Sequence, residues 1–147
     1  MSLVDQLNAD LKTAMKAQNR VAMETIRSLK KMLRDKEIEK KVDLSEQEQM
    51  KVLLSAAKRR RESIESYEQG GRQELADQEK AELKVIEQYL PEQMSQKEIT
   101  SLVEKVIEET GAFTMRDMGM VMGKIMPQVQ GKADGNEVKN IVQQKLS

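Results

Sequence analysis

Basic side chains at helical spacing are the residues in this sequence that best fit a defined binding chemistry. Residues 27–41 carry seven lysines and arginines against three acidic residues, a local net charge of +4. Arg27, Lys31 and Arg34 recur at i, i+4 and i+7, so they share one face of a helix. A row of cations on one face can follow the phosphates of a nucleic acid backbone. The spacing therefore predicts an RNA-binding surface on this helix.

A second basic run, Lys58-Arg59-Arg60-Arg61, adds four positive charges. At about 100° per residue, these four side chains point in all directions around a helix. Arg61 falls in the apolar register of Ala57 and Ile64, so it must reach solvent, pair with a carboxylate or serve a ligand. Arg60 and Arg61 join the RNA-binding candidates. The alternative for both basic runs is a solvated face, consistent with a net charge of zero and balanced by acids on neighbouring helices: Glu62, Glu65, Glu79 and Glu82.

The segment 131–135, Gly-Lys-Ala-Asp-Gly, shares two glycines and a lysine with phosphate loops. A Walker loop would need glycine where Met126 stands, serine or threonine where Ala133 stands, and a preceding strand. We interpret the segment as a turn that leads into a helix capped by Asp134. Lys132 stays a candidate for contact with a single phosphate near that helix N-terminus.

The methionine-rich segment 118–126 contains Gly119 and Gly123 one helical turn apart. Two glycines at this spacing let another backbone approach closely, and methionine side chains adapt to varied partners. Two interpretations stay open, namely close packing inside the protein or a partner groove. The candidate partner residues are Met118, Gly119, Met122 and Gly123.

The sequence contains no cysteine and no histidine. These absences remove thiolate chemistry, the commonest metal ligand and the commonest general base near neutral pH. Serines occur without a nucleophile motif. We therefore expect no catalytic residue, no metal, no cofactor and no activity of the isolated chain. No apolar run approaches the ~20 residues that cross a bilayer and the start of the chain lacks leader features, so we expect a cytoplasmic protein with no membrane partner.

Apolar residues recur with helical period and never with the period of a strand, so the sequence predicts an all-α protein. Leu90-Pro91 separates a longer helical bundle, residues 1–91, from a small three-helix unit, residues 92–147. Local start and stop signals, including the capping boxes Ser45/Glu48, Ser95/Glu98 and Thr114/Asp117, place the helix ends. The predicted helices are 3–17, a helix opening at Asn19, Ser45 to Gly70, a helix ending at Pro91, Ser95 to Gly111, Thr114 to Met126, and a last one from Asp134. The apolar stripe predicted for the first helix includes Met15. Phe113 and Met118 are expected to form the hydrophobic staple at the start of the sixth helix.

Three stretches together resemble the YqeY family. They are Arg61-Glu62-Ser63-Ile64-Glu65 through Gly70-Gly71-Arg72-Gln73-Glu74-Leu75, then Tyr89-Leu90-Pro91-Glu92-Gln93, then Met118-Gly119-x-Val121-Met122-Gly123 through Gly131-Lys132-Ala133-Asp134-Gly135. The resemblance implies homology with the C-terminal tail of the GatB subunit of tRNA-dependent amidotransferases, which are carbon–nitrogen ligases with glutamine as amido donor.

In that enzyme the homologous tail contacts tRNA, while amide transfer takes place in other domains. The resemblance therefore implies an amidotransferase association and not an activity of this chain. We expect a non-catalytic, RNA-interacting module of the tRNA-binding type. The alternative is a protein–protein adaptor that uses the methionine-rich helix 115–126 and has no nucleic acid role.

Overall fold

The computed structural model describes residues 2–147. Within that range the regular elements are α-helices and one short 3-10 turn, Met115–Asp117, with no strand, so the predicted all-α class is confirmed. None of these helices combines the length and apolar character required to span a bilayer. The helices are α1 (Leu3–Lys16), α2 (Arg20–Lys40), α3 (Glu46–Gln69), α4 (Gln73–Glu87), α5 (Gln96–Thr110), α6 (Met118–Val129) and α7 (Gly135–Leu146).

Contacts divide the chain into two compact units, one ending at Leu90 and the other spanning Pro91–Ser147. The helix that was predicted to end at Pro91 ends earlier, at Glu87. After it, Gln88, Tyr89 and Leu90 donate their N–H groups three residues back, which tightens the backbone into a 3-10 turn. A residue before proline avoids the α conformation, which explains why α4 ends before Pro91.

The first unit is built on a purely aliphatic core. α3 packs along α4, α1 along α2, and α2 also contacts both α3 and α4. A hydrogen bond of 2.5 Å from the Tyr89 hydroxyl to an Asp10 carboxylate oxygen links the residues after α4 to α1. Burial, reinforced by that carboxylate, raises the pKa of Tyr89. The buried residues of this core are Leu7, Ile26, Leu29, Leu33, Leu44, Leu53, Ala56, Ala57, Ile86 and Leu90.

The second unit is a three-helix cluster in which α5, α6 and α7 pack pairwise. The Gln93 side-chain amide donates to the carbonyls of Pro91 and Gly131 at 2.7 and 2.8 Å, so the entry segment is fixed to the α6–α7 loop. The predicted capping boxes at Ser95 and Thr114 both form. Its buried residues are Ile99, Val103, Val106, Ala112, Val121, Ile125, Val129, Val138, Ile141, Val142 and Leu146.

Three local predictions are wrong. Pro127 does not end α6, which continues to Val129, because a proline near the helix end forfeits a single hydrogen bond. Met15 is 50% exposed, because the buried register of α1 moves to Ala14 in its last turns. Phe113 is 86% exposed and therefore belongs to no core.

Candidate functional site

The three basic residues predicted on α2 line one open groove in the first unit. The groove has a volume of about 350 Å³, at the lower end of the range for ligand sites. Val4 from α1 and the buried Leu33 supply apolar lining. The remaining lining residues all come from α2: Arg27, Lys30, Lys31, Arg34 and Glu37.

The cations of the groove have few carboxylates to neutralise them. Lys31 lies 3.7 Å from Asp35 in an exposed pair, a type that contributes little. Arg27, Lys30 and Arg34 form no ion pair among the described residues 2–147. At a rise of about 1.5 Å per residue, Arg27, Lys31 and Arg34 span roughly 10 Å along the helix. The groove thus offers a row of accessible positive charge.

Arg60 does not lie in this groove. It lies between α3 and α4 and already pairs with two carboxylates. Its Nε atom lies 3.0 Å from a Glu82 carboxylate oxygen and 3.4 Å from one of Glu79. Both acids were named as balancing charges in the alternative interpretation of the basic runs. Burial, followed by repulsion from Glu82, raises the pKa of Glu79 against the opposing effect of Arg60. These contacts describe a role in joining the two helices.

Arg61 is half-buried and engaged in an interaction within the protein. Its neighbour in sequence, Arg60, takes the inter-helix position, although the apolar register had pointed to Arg61. The two arginines therefore do not extend the α2 groove as a uniform basic surface.

Lys132 lies in the second unit, in a cleft of about 390 Å³ that also contains Glu92 and Glu98. The Lys132 carbonyl accepts a hydrogen bond of 2.8 Å from the Met94 N–H. The nearby start of α7 is capped by the Asp134 side chain. Two carboxylates in the cleft and a third at the helix start make this place less favourable for a phosphate than the α2 groove.

The methionine-rich helix α6 turns Gly119 and Gly123 outward. A Cβ atom added at either glycine would meet nothing within 4 Å. Close packing inside the second unit is therefore the wrong interpretation of this spacing, because the buried side of α6 is formed by Val121, Ile125 and Val129. Met118 and Met122, the other two candidate partner residues, are half-buried and pack against the core.

The structure also reveals exposed apolar residues around this helix that the spacing within residues 118–126 did not indicate. Among the described residues, four of the seven exposed large apolar side chains lie between positions 113 and 126. They are Phe113 (86% exposed), Met115 (43%), Met120 (45%) and Met126 (37%). Single exposed apolar residues are ordinary, whereas large contiguous exposed apolar patches are typical of interaction surfaces.

No group of three or more acidic side chains in residues 2–147 is arranged to hold a metal ion. The two features that stand out are the basic α2 groove in the first unit and the apolar outer face of α6 in the second. Together with the seven helices described in residues 2–147 and their division into two units, they define the class of the chain as a small helical protein.

The family model described as Yqey-like protein matches residues 4–146. The chain belongs to this family, and the resemblance found in the sequence is confirmed.

Three relatives share the name "Altered inheritance of mitochondria protein 41, mitochondrial". The one from Pyrenophora tritici-repentis is 30% identical over 92% of this chain and 75% of its own length. The one from Vanderwaltozyma polyspora is 33% identical over 76% of this chain and 64% of its own length. The one from Clavispora lusitaniae is 30% identical over 87% of this chain and 74% of its own length.

These names overturn the predicted cytoplasmic location, because all three relatives are designated mitochondrial. The prediction rested on missing leader features and missing apolar spans. Such absences do not identify a compartment, and the cytoplasmic expectation is wrong.

Proposed function

We propose that the first unit binds RNA through the α2 groove and that the protein acts without catalysing a reaction itself. The observation that carries this proposal is the row of four cations that α2 contributes to the groove. Three of them, Arg27, Lys30 and Arg34, have no carboxylate partner among residues 2–147. Cations without an ion pair are available for contact with phosphates, and each phosphate contact releases condensed counterions.

A folded RNA of the tRNA type suits this groove better than an extended single strand. Single-strand binders stack bases on aromatic side chains, and no aromatic residue lines the groove. Cations on a rigid helix instead recognise the arrangement of phosphates on a folded RNA surface. The resemblance to the tRNA-contacting tail of GatB supports the same choice.

A charge-reversal variant tests the proposal. Arg27→Glu/Lys31→Glu/Arg34→Glu should lose tRNA binding at low salt in fluorescence anisotropy, while circular dichroism stays unchanged, since glutamate is a good helix former. The matched control, Lys12→Glu/Lys51→Glu/Lys58→Glu, makes the same change in net charge at exposed positions. It should bind within about threefold of wild type, because only a long-range field is altered. Equal loss in both variants would show that the groove has no special role.

A second candidate function, a protein–protein adaptor, is favoured by a separate observation. The outer face of α6 is apolar and exposed, and its two glycines open onto free space. Methionine and aromatic residues are enriched at protein interfaces. This function does not depend on the α2 groove and can hold whether or not RNA binds there.

A further inference from the structure

The outer face of α6 is a continuous uncharged strip. On a helical wheel, Gly119, Met120, Gly123, Met126 and Pro127 fall on the side opposite the buried residues. All five are exposed. Met115 precedes them at the 3-10 turn, four residues before the first glycine. The glycines form a trough between flexible methionines, a shape that accepts the ridge of another helix.

Positive charge borders this strip. Arg116 at one end and Lys124 along one side are exposed and form no ion pair among residues 2–147. Eight residues separate them, roughly 12 Å along the helix. The only acid between positions 113 and 130 is Asp117, whose carboxylate accepts the N–H groups of Phe113 and Thr114 at 2.8 and 3.1 Å. Within residues 113–130, the charged side chains that are still available are therefore cationic.

A symmetric dimer formed through this same face would not be complementary. The second copy would present the same two cations and an acid already held by its own backbone. An RNA does not complement it either, because phosphates laid on the methionine strip would lose water without meeting a counter-charge. A helix with a small or aliphatic face and acidic edges satisfies both the strip and its borders.

We propose that the outer face of α6 docks a partner helix with a small or aliphatic contact face and carboxylates on its edges to pair with Arg116 and Lys124. The inference rests on the adaptor function and specifies the chemistry of the partner. Gly119 and Gly123 let the two backbones approach, and the methionines adjust to the partner's side chains.

Photo-crosslinking in the full chain tests this docking. A benzophenone amino acid replaces the exposed Met120, and irradiation takes place in an extract of the cells that make the protein. The same residue at Lys139, exposed on α7, is the control position. Two variants accompany the probe. Gly119→Leu/Gly123→Leu fills the trough, where no neighbouring atom opposes a side chain, and Arg116→Glu/Lys124→Glu reverses the border charge.

The expected result is a protein adduct at position 120 and none at 139. Its cross-linked peptide should be a helical segment with acidic edges. The adduct should vanish in the glycine variant and fall at least about tenfold in the charge variant. If the adduct yield is the same in the charge variant as in the wild type, the proposed partner chemistry is overturned, while the adaptor function still stands. No adduct, an adduct with a second copy or an adduct with RNA would overturn both.

Discussion

Removal of the Arg60 side chain is the substitution whose cost the structure defines best. Arg60 lies between two carboxylates of α4, Glu79 and Glu82, at 3.4 and 3.0 Å. The side chains of Arg60, Glu79 and Glu82 are only 22%, 20% and 18% exposed, respectively. Arg60→Ala would leave two neighbouring acids without their cation. We therefore expect the α3–α4 contact to weaken.

The magnitude lies between two known limits. Breaking a fully buried ion pair costs about 3–5 kcal/mol, and exposed pairs contribute about 0–1 kcal/mol. Because this cluster is mostly but not fully buried, screening reduces the loss, and we expect about 1–3 kcal/mol at pH 7. For a unit of roughly 90 residues, this corresponds to a decrease in Tm of roughly 5–20 °C.

The loss should depend on pH in a defined direction. The pKa of Glu79 is already raised in the folded protein, first by burial and then by Glu82, while Arg60 opposes the increase. Without Arg60 the pKa of Glu79 rises further, so the folded variant binds a proton more tightly than the unfolded chain. Stability of the variant should therefore recover as the pH falls from 7 towards 4.5, the ordinary value for glutamate.

Urea denaturation followed by circular dichroism at pH 7 and pH 4.5 measures both effects. Lys80→Ala is the matched control, because Lys80 also pairs across α3 and α4, with Glu68 at 2.7 Å, but in exposed positions. Lys80→Ala should reduce the free energy of unfolding far less than Arg60→Ala does. An Arg60 variant no less stable than the Lys80 variant, or a loss that does not change with pH, would refute the reasoning.

Three further predictions concern backbone conformation, capping and chemistry. Gly111→Ala should destabilise the protein by about 1–2 kcal/mol in urea denaturation, because φ is +69° at this residue. Gly123→Ala, in open space on α6, should instead stabilise the protein by about 0.5–1 kcal/mol. The opposite order of stabilities would contradict the assigned conformations. Ser95→Ala should cost about 1 kcal/mol in the same assay, since the Ser95 hydroxyl accepts the Glu98 N–H at 3.1 Å, and an unchanged midpoint would show that the cap is dispensable. The purified chain should not convert glutamyl-tRNA in the presence of glutamine and ATP, and multiple turnover measured by amino acid analysis would contradict a non-catalytic role.

The helices and their starts could be predicted because they follow from local chemistry. The cap residues Asn19, Ser45, Ser95 and Thr114 each accept a backbone N–H within their own first turn. Such hydrogen bonds need only a few neighbouring residues. Pro127 shows the limit of a local rule, since its effect depends on where in the helix it lies.

The surfaces could be predicted only in part, because they depend on what packs against each helix. Arg27, Lys31 and Arg34 share a face by their spacing alone, and the structure places all three along one groove. The division of roles between Arg60 and Arg61 depends on the position of α4. The outward direction of Gly119 likewise depends on which side of α6 the rest of the unit covers.

The measurement that tests the central claim most directly is the salt dependence of tRNA binding by the unmodified protein. If three to four groove cations contact phosphates, a plot of log affinity against log salt concentration should have a slope of about −2 to −3.5. Affinity should then fall roughly 15- to 130-fold between 50 and 200 mM salt. No binding at 50 mM salt, or an affinity that does not change with salt, would contradict RNA binding through the α2 groove.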